Sequence, residues 1–311
     1  MKDLSIFKDE TLNKEFLKYG YVKLQLFNNE DCAKIKKEVK SIIKEESNTN
    51  FDFMTVPNIS TSNEKSQKVN SFFKKIAEKR IYELLNNDYH FFSSTLFFKK
   101  RRSNKLIWHR DPTFYNMGKN NTPIAIWTGI DKTTRRNGCF RLVPKSHKLS
   151  FNYEAFPFKP LGMTTNSINL EEAYGQLINK YAIDIPLRKG EVIIHHHSLL
   201  HASHPNNSFF KKRIAYKITL FHKKIKSYEV AYFHIEKNKL EIFKTNKEII
   251  ENNLAFFDDY NKIKELIKNK QISLVKEAEL DQTNIPFKSL KEMEEIMDMP
   301  GTSLRAKFEI C

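Results

Sequence analysis

Residues 181–221 read YAIDIPLRKGEVIIHHHSLLHASHPNNSFFKKRIAYKITLF, and their pattern indicates the fold class. Its short apolar runs are separated by turn signals such as Lys189-Gly190. This rhythm is typical of a β-sandwich or β-barrel rather than of a helical protein. We expect three strands here, over residues 181–187, 191–196 and 213–221.

The same rhythm of short strands extends upstream to residue 89. We predict four further strands, with Asn137-Gly138 as a turn before the last of them, over residues 90–98, 105–109, 123–130 and 139–143. Residues 150–180 interrupt the pattern with prolines, aromatic residues and a short helical segment at 170–178, as a lid or substrate loop would. A jelly roll over residues 89–222, with residues 150–180 as an insertion, fits this pattern best.

Residues 1–88 are expected to support this core with helices. A strand is predicted over residues 21–27. One helix is expected to start near Asn29, a residue type that caps helix N-termini, and a second helix to cover residues 66–86.

The C-terminal extension, residues 223–311, has a weaker pattern. It contains a predicted strand over 228–235 and a predicted helix over 246–269, followed by a weakly patterned end. No Pro/Gly/Ser-rich linker and no internal repeat divides the chain. We therefore predict a single domain over residues 1–311 that is mainly β with flanking helices.

The chain is strongly basic, because 53 Lys and Arg residues against 37 Asp and Glu residues give a formal net charge of +16. A positive field attracts polyanions such as nucleic acids. The basic residues are mostly lysines spread over many segments, however, and this favours a solvated lysine-rich surface over a nucleic-acid-binding one. A small anionic substrate is compatible with this charge.

Cysteine use and hydropathy indicate the compartment. Cys32, Cys139 and Cys311 form no C-x-x-C pair, which argues against a disulfide framework and for a reducing environment. The N-terminal residues contain no apolar signal segment, and no segment approaches the roughly 20 apolar residues that span a bilayer. We expect a cytoplasmic protein without a membrane partner.

A candidate metal site begins at the end of the strand predicted over 105–109. His109 and Asp111 are two residues apart, so on an extended chain their side chains point to the same side. A third ligand is expected among the five histidines between His195 and His204. We choose His201, which follows two leucines at the start of a polar turn, with His197 as the alternative. Two histidines and one carboxylate on one face of Fe(II) leave open positions for a co-substrate and dioxygen.

Arg213 stands at the start of the last core strand and is the candidate anchor for an acidic co-substrate. A guanidinium binds a carboxylate through two parallel hydrogen bonds, which an ammonium does less specifically. Lys211 and Lys212 precede Arg213 and are weaker candidates for the same role.

Five ordered motifs resemble those of a known family. They are WHRD (108–111), AIWTGID (125–131), NGCFRLVPKSH (137–147), KGEVIIH (189–195) and HASHPN (201–206). In this order they are similar to motifs of the phytanoyl-CoA dioxygenase-like family of Fe(II)/2-oxoglutarate-dependent oxygenases.

The resemblance implies a double-stranded β-helix, which is the jelly-roll fold of the cupins. It also implies a role for each residue of the site. It places His109, Asp111 and His201 on Fe(II) and Arg213 on the distal carboxylate of 2-oxoglutarate. Two further cofactor contacts are implied, with Trp127 packed near the co-substrate and Ser203 hydrogen-bonded to its carboxylate. The implied activity is hydroxylation of a small-molecule substrate by dioxygen, with release of succinate and carbon dioxide.

Three positions depart from the family pattern. Arg110 stands where Gln is common, and Lys145 and Ala202 stand where Gly is common. Arg110 is adjacent to the candidate ligands, and we expect it to favour an anionic substrate. Asp111 argues against a halogenase, since halogenating relatives lose this carboxylate to make room for chloride.

Two other functions are compatible with a basic barrel. One is a cupin-like metal enzyme that does not use 2-oxoglutarate, in which Arg213 would be dispensable. The other is a basic non-catalytic binding protein, which would show salt-dependent polyanion binding and no iron requirement. Candidate substrate contacts are Phe114, Tyr115 and the aromatic residues of 151–158.

Overall fold

The computed structural model describes residues 5–44, 53–56, 63–86, 88–111, 123–148, 170–225, 228–234, 239–246, 249, 260–279 and 295. Helices precede and flank two antiparallel sheets, and a third small sheet follows them. The predicted class, mainly β with flanking helices, is confirmed.

The N-terminal helices form where the sequence supplies caps and an apolar face. Helix α1 (Glu10–Tyr19) starts after Asp9, whose carboxylate accepts a hydrogen bond from the Leu12 amide, and it ends at Gly20 with a φ of +83°. The sequence analysis did not predict α1 or the short strand β2. The other elements of this region are β1 (Tyr21–Gln25), α2 (Asn29–Lys44), β2 (Phe53–Val56) and α3 (Asn63–Arg80).

The core strands lie close to their predicted places. The exception is β9, a three-residue strand where a turn was expected. The elements are β3 (Tyr89–Lys99), β4 (Leu106–His109), β5 (Ile124–Gly129), β6 (Phe140–Leu142), α4 (Leu170–Tyr181), β7 (Ile183–Ile185), β8 (Glu191–His196), β9 (His201–Ser203) and β10 (Arg213–His222). Residues 149–169 of the predicted insertion lie outside the described residues.

Two antiparallel sheets make the jelly roll. The larger sheet has the strand order β1-β8-β5-β10-β3-β2, and the smaller has the order β4-β9-β6-β7. Apolar residues of both sheets, including Trp127, Ile193 and Ala215 from the larger and Phe140 and Leu142 from the smaller, pack in one buried cluster. The space between the sheets is therefore the interior of the fold.

Strand β10 packs against the helices with one face and lines the space between the sheets with the other. Tyr216, Ile218 and Leu220 join the apolar cluster that contains the helices, and the Tyr216 ring stacks on Phe73 of α3 at 4.5 Å between centroids. Successive side chains alternate between the faces of a strand. Arg213, Ala215 and Lys217 therefore belong to the opposite face, which lines the interior between the sheets.

The C-terminal extension contains a third antiparallel sheet. Of its strands, only β11 lies in a predicted place, and the helix predicted over 246–269 is described as α5 over its last part. Its elements are β11 (Tyr228–His234), β12 (Lys239–Thr245), α5 (Tyr260–Lys268) and β13 (Ser273–Glu279). Within the described part of the chain, no helix is long and apolar enough to cross a bilayer.

Candidate metal centre

Pairing between β4 and β9 places two histidines side by side. His109 and His201 are register partners across the two strands, and their ring centroids lie 4.2 Å apart. The Phe140 ring of the neighbouring strand β6 stacks on His201 at 5.1 Å with an interplanar angle of 12°. The short strand β9, which the sequence analysis treated as a turn, therefore fixes His201 opposite His109.

A backbone carbonyl orients each imidazole in the same way. Nδ1 of His109 lies 2.8 Å from the Ile107 oxygen, and Nδ1 of His201 lies 2.9 Å from the Leu199 oxygen. A carbonyl oxygen only accepts, so each Nδ1 donates and each Nε2 carries the lone pair. Metal-binding histidines are usually held in this way by a hydrogen bond at the other ring nitrogen.

Asp111 completes the group. Its backbone amide donates to the His197 carbonyl at 3.2 Å, which directs the chain after β4 back toward the interior. Ligand atoms of His109, Asp111 and His201 all lie within 4.8 Å of one another, and Asp111 Oδ1 is 3.9 Å from His201 Nε2. The side chains of Asp111 and His201 are buried, and that of His109 is half-buried.

The protonation states suit a metal. Desolvation, with a smaller contribution from His201, lowers the pKa of His109 to about 3, and burial likewise lowers that of His201 to about 3. Burial alone would raise the pKa of Asp111, but Lys217 and the surrounding histidines together hold it well below its usual range. Two neutral imidazoles and one carboxylate therefore face one another at neutral pH, as metal binding requires.

Lys217 is a residue of the centre that the sequence analysis missed. Its Nζ donates to Oδ1 of Asp111 from the inner face of β10. The signal for it was present in the sequence. Lys217 follows Arg213 by four residues in an otherwise apolar strand, so the two cations share one face.

His195 approaches Asp111 from the larger sheet. Its Nε2 lies 4.0 Å from Asp111 Oδ2, beyond hydrogen-bonding distance, and neither atom has a hydrogen-bond partner among the described residues. Its neighbour His196 points the other way and contacts the Phe16 ring of α1, as the alternation of strand side chains predicts. The alternative ligand His197 contributes a backbone carbonyl to Asp111 and is not in the described metal-binding group.

Arg213 lies in the interior and carries unused hydrogen-bonding capacity. The side chain is buried, its guanidinium carbon is 5.5 Å from the centre of the Trp127 ring, and Nε and Nη1 have no hydrogen-bond partner in the described part of the chain. Burial lowers the pKa of Arg213 to about 9, so it remains charged at neutral pH. Lys211 and Lys212, by contrast, are exposed.

Ser203 adds a second unused polar group. Its Oγ is buried without a hydrogen-bond partner among the residues described. Buried polar groups are nearly always hydrogen-bonded in proteins. The hydroxyl of Ser203 and the guanidinium of Arg213 are therefore groups that a bound carboxylate can satisfy.

Arg110 lies against the backbone that follows β8, and its proposed effect on an anionic substrate stays a prediction. Its Nε donates to the Ser198 carbonyl at 3.0 Å, and its charge acts on His147 and His196, on the far side of the strand from Asp111. Lys217 is a cation that contacts Asp111 directly. Phe114, Tyr115 and residues 151–158 lie outside the described residues.

Comparison with known proteins identifies the family. The model of the phytanoyl-CoA dioxygenase (PhyH) family matches residues 16–214. A Caenorhabditis elegans protein named phytanoyl-CoA dioxygenase domain-containing protein 1 homolog is 31% identical over 120 residues, which are 37% of this chain and 40% of that relative. This match thus spans less than half of the relative's length.

Two further proteins extend the similarity. A Stutzerimonas stutzeri protein named as a probable alpha-ketoglutarate-dependent hypophosphite dioxygenase is 26% identical over 230 residues, covering 64% of this chain and 74% of its own. The crystal structure of the non-heme alpha ketoglutarate-dependent carbocyclase SnoK from nogalamycin biosynthesis has the same fold, with a TM-score of 0.50, 14% identity and coverage of 69% of this chain and 84% of that one. Because the family model spans more than half of the sequence and includes His109, Asp111, His201 and Arg213, the chain belongs to the phytanoyl-CoA dioxygenase (PhyH) family.

Proposed function

We propose that the protein is an Fe(II)- and 2-oxoglutarate-dependent dioxygenase that hydroxylates a small-molecule substrate. The observation that carries this proposal is the group of His109, Asp111 and His201 in the same interior as the buried, hydrogen-bond-deficient Arg213. Family membership supports it. A cupin-like enzyme without 2-oxoglutarate gives no reason for Arg213, since burying a guanidinium without an anion is costly.

The donor set fits one first-row metal ion. Such an ion binds nitrogen and oxygen ligands at about 2.1 Å, so one ion bridges atoms up to about 4.2 Å apart. The distance of 3.9 Å between Asp111 Oδ1 and His201 Nε2 meets this limit, and the 4.8 Å span of the whole group needs only small side-chain rotations. Two imidazoles and a carboxylate with further positions open suit Fe(II).

Each residue of the site has a proposed role. Fe(II) is held by His109, Asp111 and His201, and it supplies dioxygen activation in a reaction that consumes 2-oxoglutarate. Arg213 binds the distal carboxylate of 2-oxoglutarate through paired hydrogen bonds. The Ser203 hydroxyl donates to the same carboxylate, and Trp127 packs beside it. The reaction converts 2-oxoglutarate, dioxygen and a substrate C–H bond to succinate, carbon dioxide and a C–OH bond.

We further propose that the substrate is anionic. We also propose that the protein acts in the cytoplasm and that residues 1–311 form a single domain. A relative's name supports the first point, because hypophosphite is an anion. Unpaired Cys32 and Cys139 are in keeping with a reducing compartment.

The decisive experiment is anaerobic absorption spectroscopy of the native protein and of His201→Ala and Arg213→Ala. Addition of Fe(II) and then 2-oxoglutarate should give a visible charge-transfer band in the native protein. The band should be absent in His201→Ala, and Arg213→Ala should require far more 2-oxoglutarate to reach it. A correctly folded native protein without any band would overturn the assignment and favour the cupin-like or non-catalytic alternative.

A further inference from the structure

Lys217 occupies a costly position for a lysine. It lies in the middle of β10, where its neighbours Tyr216 and Ile218 are buried and its own side chain is only 16% exposed. Removing an ammonium from water is unfavourable unless an anion accompanies it. In this structure the anion is Asp111, whose Oδ1 accepts a hydrogen bond from Lys217 Nζ.

The oxygen that accepts from Lys217 also faces the metal ligands. Asp111 Oδ1 lies 3.9 Å from His201 Nε2, whereas Oδ2 faces His195 at 4.0 Å. A metal ion held by Asp111 and His201 would therefore draw electron density from the carboxylate that accepts the hydrogen bond of the ammonium. A divalent cation also repels the ammonium directly, and both effects weaken the ion pair between Asp111 and Lys217.

The charges of the assembled site leave Lys217 without compensation. The two positive charges of Fe(II) are balanced by the two negative charges of 2-oxoglutarate, and Arg213 is balanced by Asp111. His109 and His201 add no charge, because an imidazole binds a metal in its neutral form, here through Nε2, since each Nδ1 donates to a backbone carbonyl oxygen. The sum over Fe(II), 2-oxoglutarate, Asp111, Arg213 and Lys217 is therefore one positive charge, which the ammonium of Lys217 supplies.

We propose that Lys217 recognises an anionic group of the substrate, a carboxylate or a phosphorus oxyanion, and that metal binding to Asp111 releases it for this role. This inference rests on the proposed function and assigns a residue to its substrate specificity. Metal and substrate anion then bind cooperatively, because the metal frees the ammonium that the anion needs. The same step prevents the metal-free protein from binding substrate unproductively.

Lys217 and Arg213 need not compete for one anion. They are four residues apart on the same face of β10, a separation of about 13 Å along an extended strand. Trp127 is the register partner of Lys217 on β5, and its ring lies 5.5 Å from the guanidinium carbon of Arg213. An acid held by Arg213 and a second acid held by Lys217 therefore flank the same tryptophan.

The test measures anion binding without turnover. Co(II) replaces Fe(II), and hypophosphite and acetate are titrated calorimetrically into the metal-free protein and into the protein saturated with Co(II) and 2-oxoglutarate. The variants are Lys217→Met, which removes the charge, and Lys217→Arg, which retains it. Lys23→Met is the matched control, because Lys23 forms another lysine–carboxylate pair of the same sheet, with Glu191 at 3.2 Å.

We expect at least one of the two anions to bind the loaded native protein at least about tenfold more tightly than the metal-free protein, a coupling of about 1.4 kcal/mol. Lys217→Met should lose this difference and bind Co(II) more tightly, because a competing cation is gone. Lys217→Arg should retain most of the anion affinity, and Lys23→Met should match the native protein.

Two results would overturn the inference. Equal binding of both anions by loaded Lys217→Met and by the native protein would mean that the metal alone holds them. Weakened 2-oxoglutarate binding with unchanged anion binding would assign Lys217 to the co-substrate. Failure of the proposed function is a different result, in which His201→Ala binds Co(II) as well as the native protein does.

Discussion

The guanidinium carbon of Arg213 lies 5.5 Å from the centre of the Trp127 ring, in a buried position where β10 begins. The guanidinium therefore lies close to an aromatic ring, and its Nε and Nη1 have no hydrogen-bond partner among the described residues. Exposed Lys212, the adjacent residue, shares neither the burial nor the ring contact. This contrast favours Arg213 as the group that binds 2-oxoglutarate.

Replacing Arg213 by Lys should raise the KM for 2-oxoglutarate by roughly 10- to 100-fold, since one of two charge-assisted hydrogen bonds is lost. Affinity for Co(II) should stay within about twofold, because Arg213 does not bind the metal. Lys212→Ala is the control and should leave both quantities unchanged. A larger effect of Lys212→Ala than of Arg213→Lys would exchange their roles.

The substitution Ser203→Ala tests whether the Ser203 hydroxyl supports the fold or binds 2-oxoglutarate. The buried Oγ has no hydrogen-bond partner in the described part of the chain, so its removal should leave the melting temperature of the protein without co-substrate unchanged or slightly higher. Affinity for 2-oxoglutarate should fall about tenfold, the equivalent of one hydrogen bond.

The matched control for Ser203 is Ser103→Ala. Its hydroxyl is also buried and unsatisfied among the described residues, but it lies outside the metal-binding group. Isothermal titration with 2-oxoglutarate and thermal unfolding should distinguish the two variants. A clear loss of stability in Ser203→Ala would show that the hydroxyl supports the fold rather than the co-substrate.

Asn206 joins the loops on which Arg213 depends. Its Nδ2 donates to the carbonyl oxygens of Lys100 and Lys211, each at 2.9 Å, and the side chain is completely buried. Asn206→Ala should lower the free energy of unfolding by about 2–3 kcal/mol, because the two partly buried carbonyls lose a donor from a completely buried side chain. It should also weaken 2-oxoglutarate binding, since Lys211 leads directly into β10.

Asn207→Ala tests whether this effect is specific. Asn207 is exposed, and its hydrogen bond to the Arg136 carbonyl oxygen is donated by the backbone amide, which the substitution keeps. Urea unfolding of both variants should show a lower midpoint for Asn206→Ala alone. Similar midpoints would mean that the Asn206 hydrogen bonds contribute little.

Strand alternation made much of the fold and of the centre predictable. The His109–Asp111 spacing, the opposite faces of His195 and His196 and the placement of Arg213 all follow from a period of two along an extended chain. Strand β9 escaped prediction because three residues are too short to show that period, and its pairing with β4 and β6 holds it extended. Its register, which sets His201 opposite His109, is a tertiary property.

The role of Lys217 and the third sheet could not be predicted from the sequence. The spacing of Lys217 from Arg213 shows that the two cations share a face of the strand, but the role of Lys217 depends on Asp111, which is distant along the chain and contacts it only after folding. Strands β12 and β13 mix lysine and glutamate with apolar residues without a regular alternation, so a charged surface segment and a strand look alike until the pairing partner is known.

The histidines with lowered pKa values predict two different pH responses, a falling stability and a nearly constant affinity for the metal. Burial is the main cause that lowers the pKa of His109 and His201 to about 3 and of His147 and His195 to about 4. In the unfolded chain a histidine has a pKa of about 6.5. As the pH falls below this value the unfolded chain gains protons and the folded protein does not, so stability falls.

The loss is on the order of 2 kcal/mol per histidine between pH 7 and pH 5. Thermal unfolding of EDTA-treated protein should therefore show a steeply falling melting temperature over this range. His147→Phe should reduce the slope without touching the metal ligands, because it removes one of these proton acceptors.

Affinity of the folded protein for Co(II) should stay nearly constant over the same range. Its two imidazoles are already neutral and Asp111 is already ionised at pH 5, because their pKa values lie well below it. Two histidines with ordinary pKa values would instead cost about 1,000-fold in affinity at pH 5, since both would have to lose a proton. Calorimetric titration of Co(II) at pH 7, 6 and 5 distinguishes these cases. A steep fall in affinity would mean that solvent reaches the histidines and would remove the preorganised centre from the proposed mechanism.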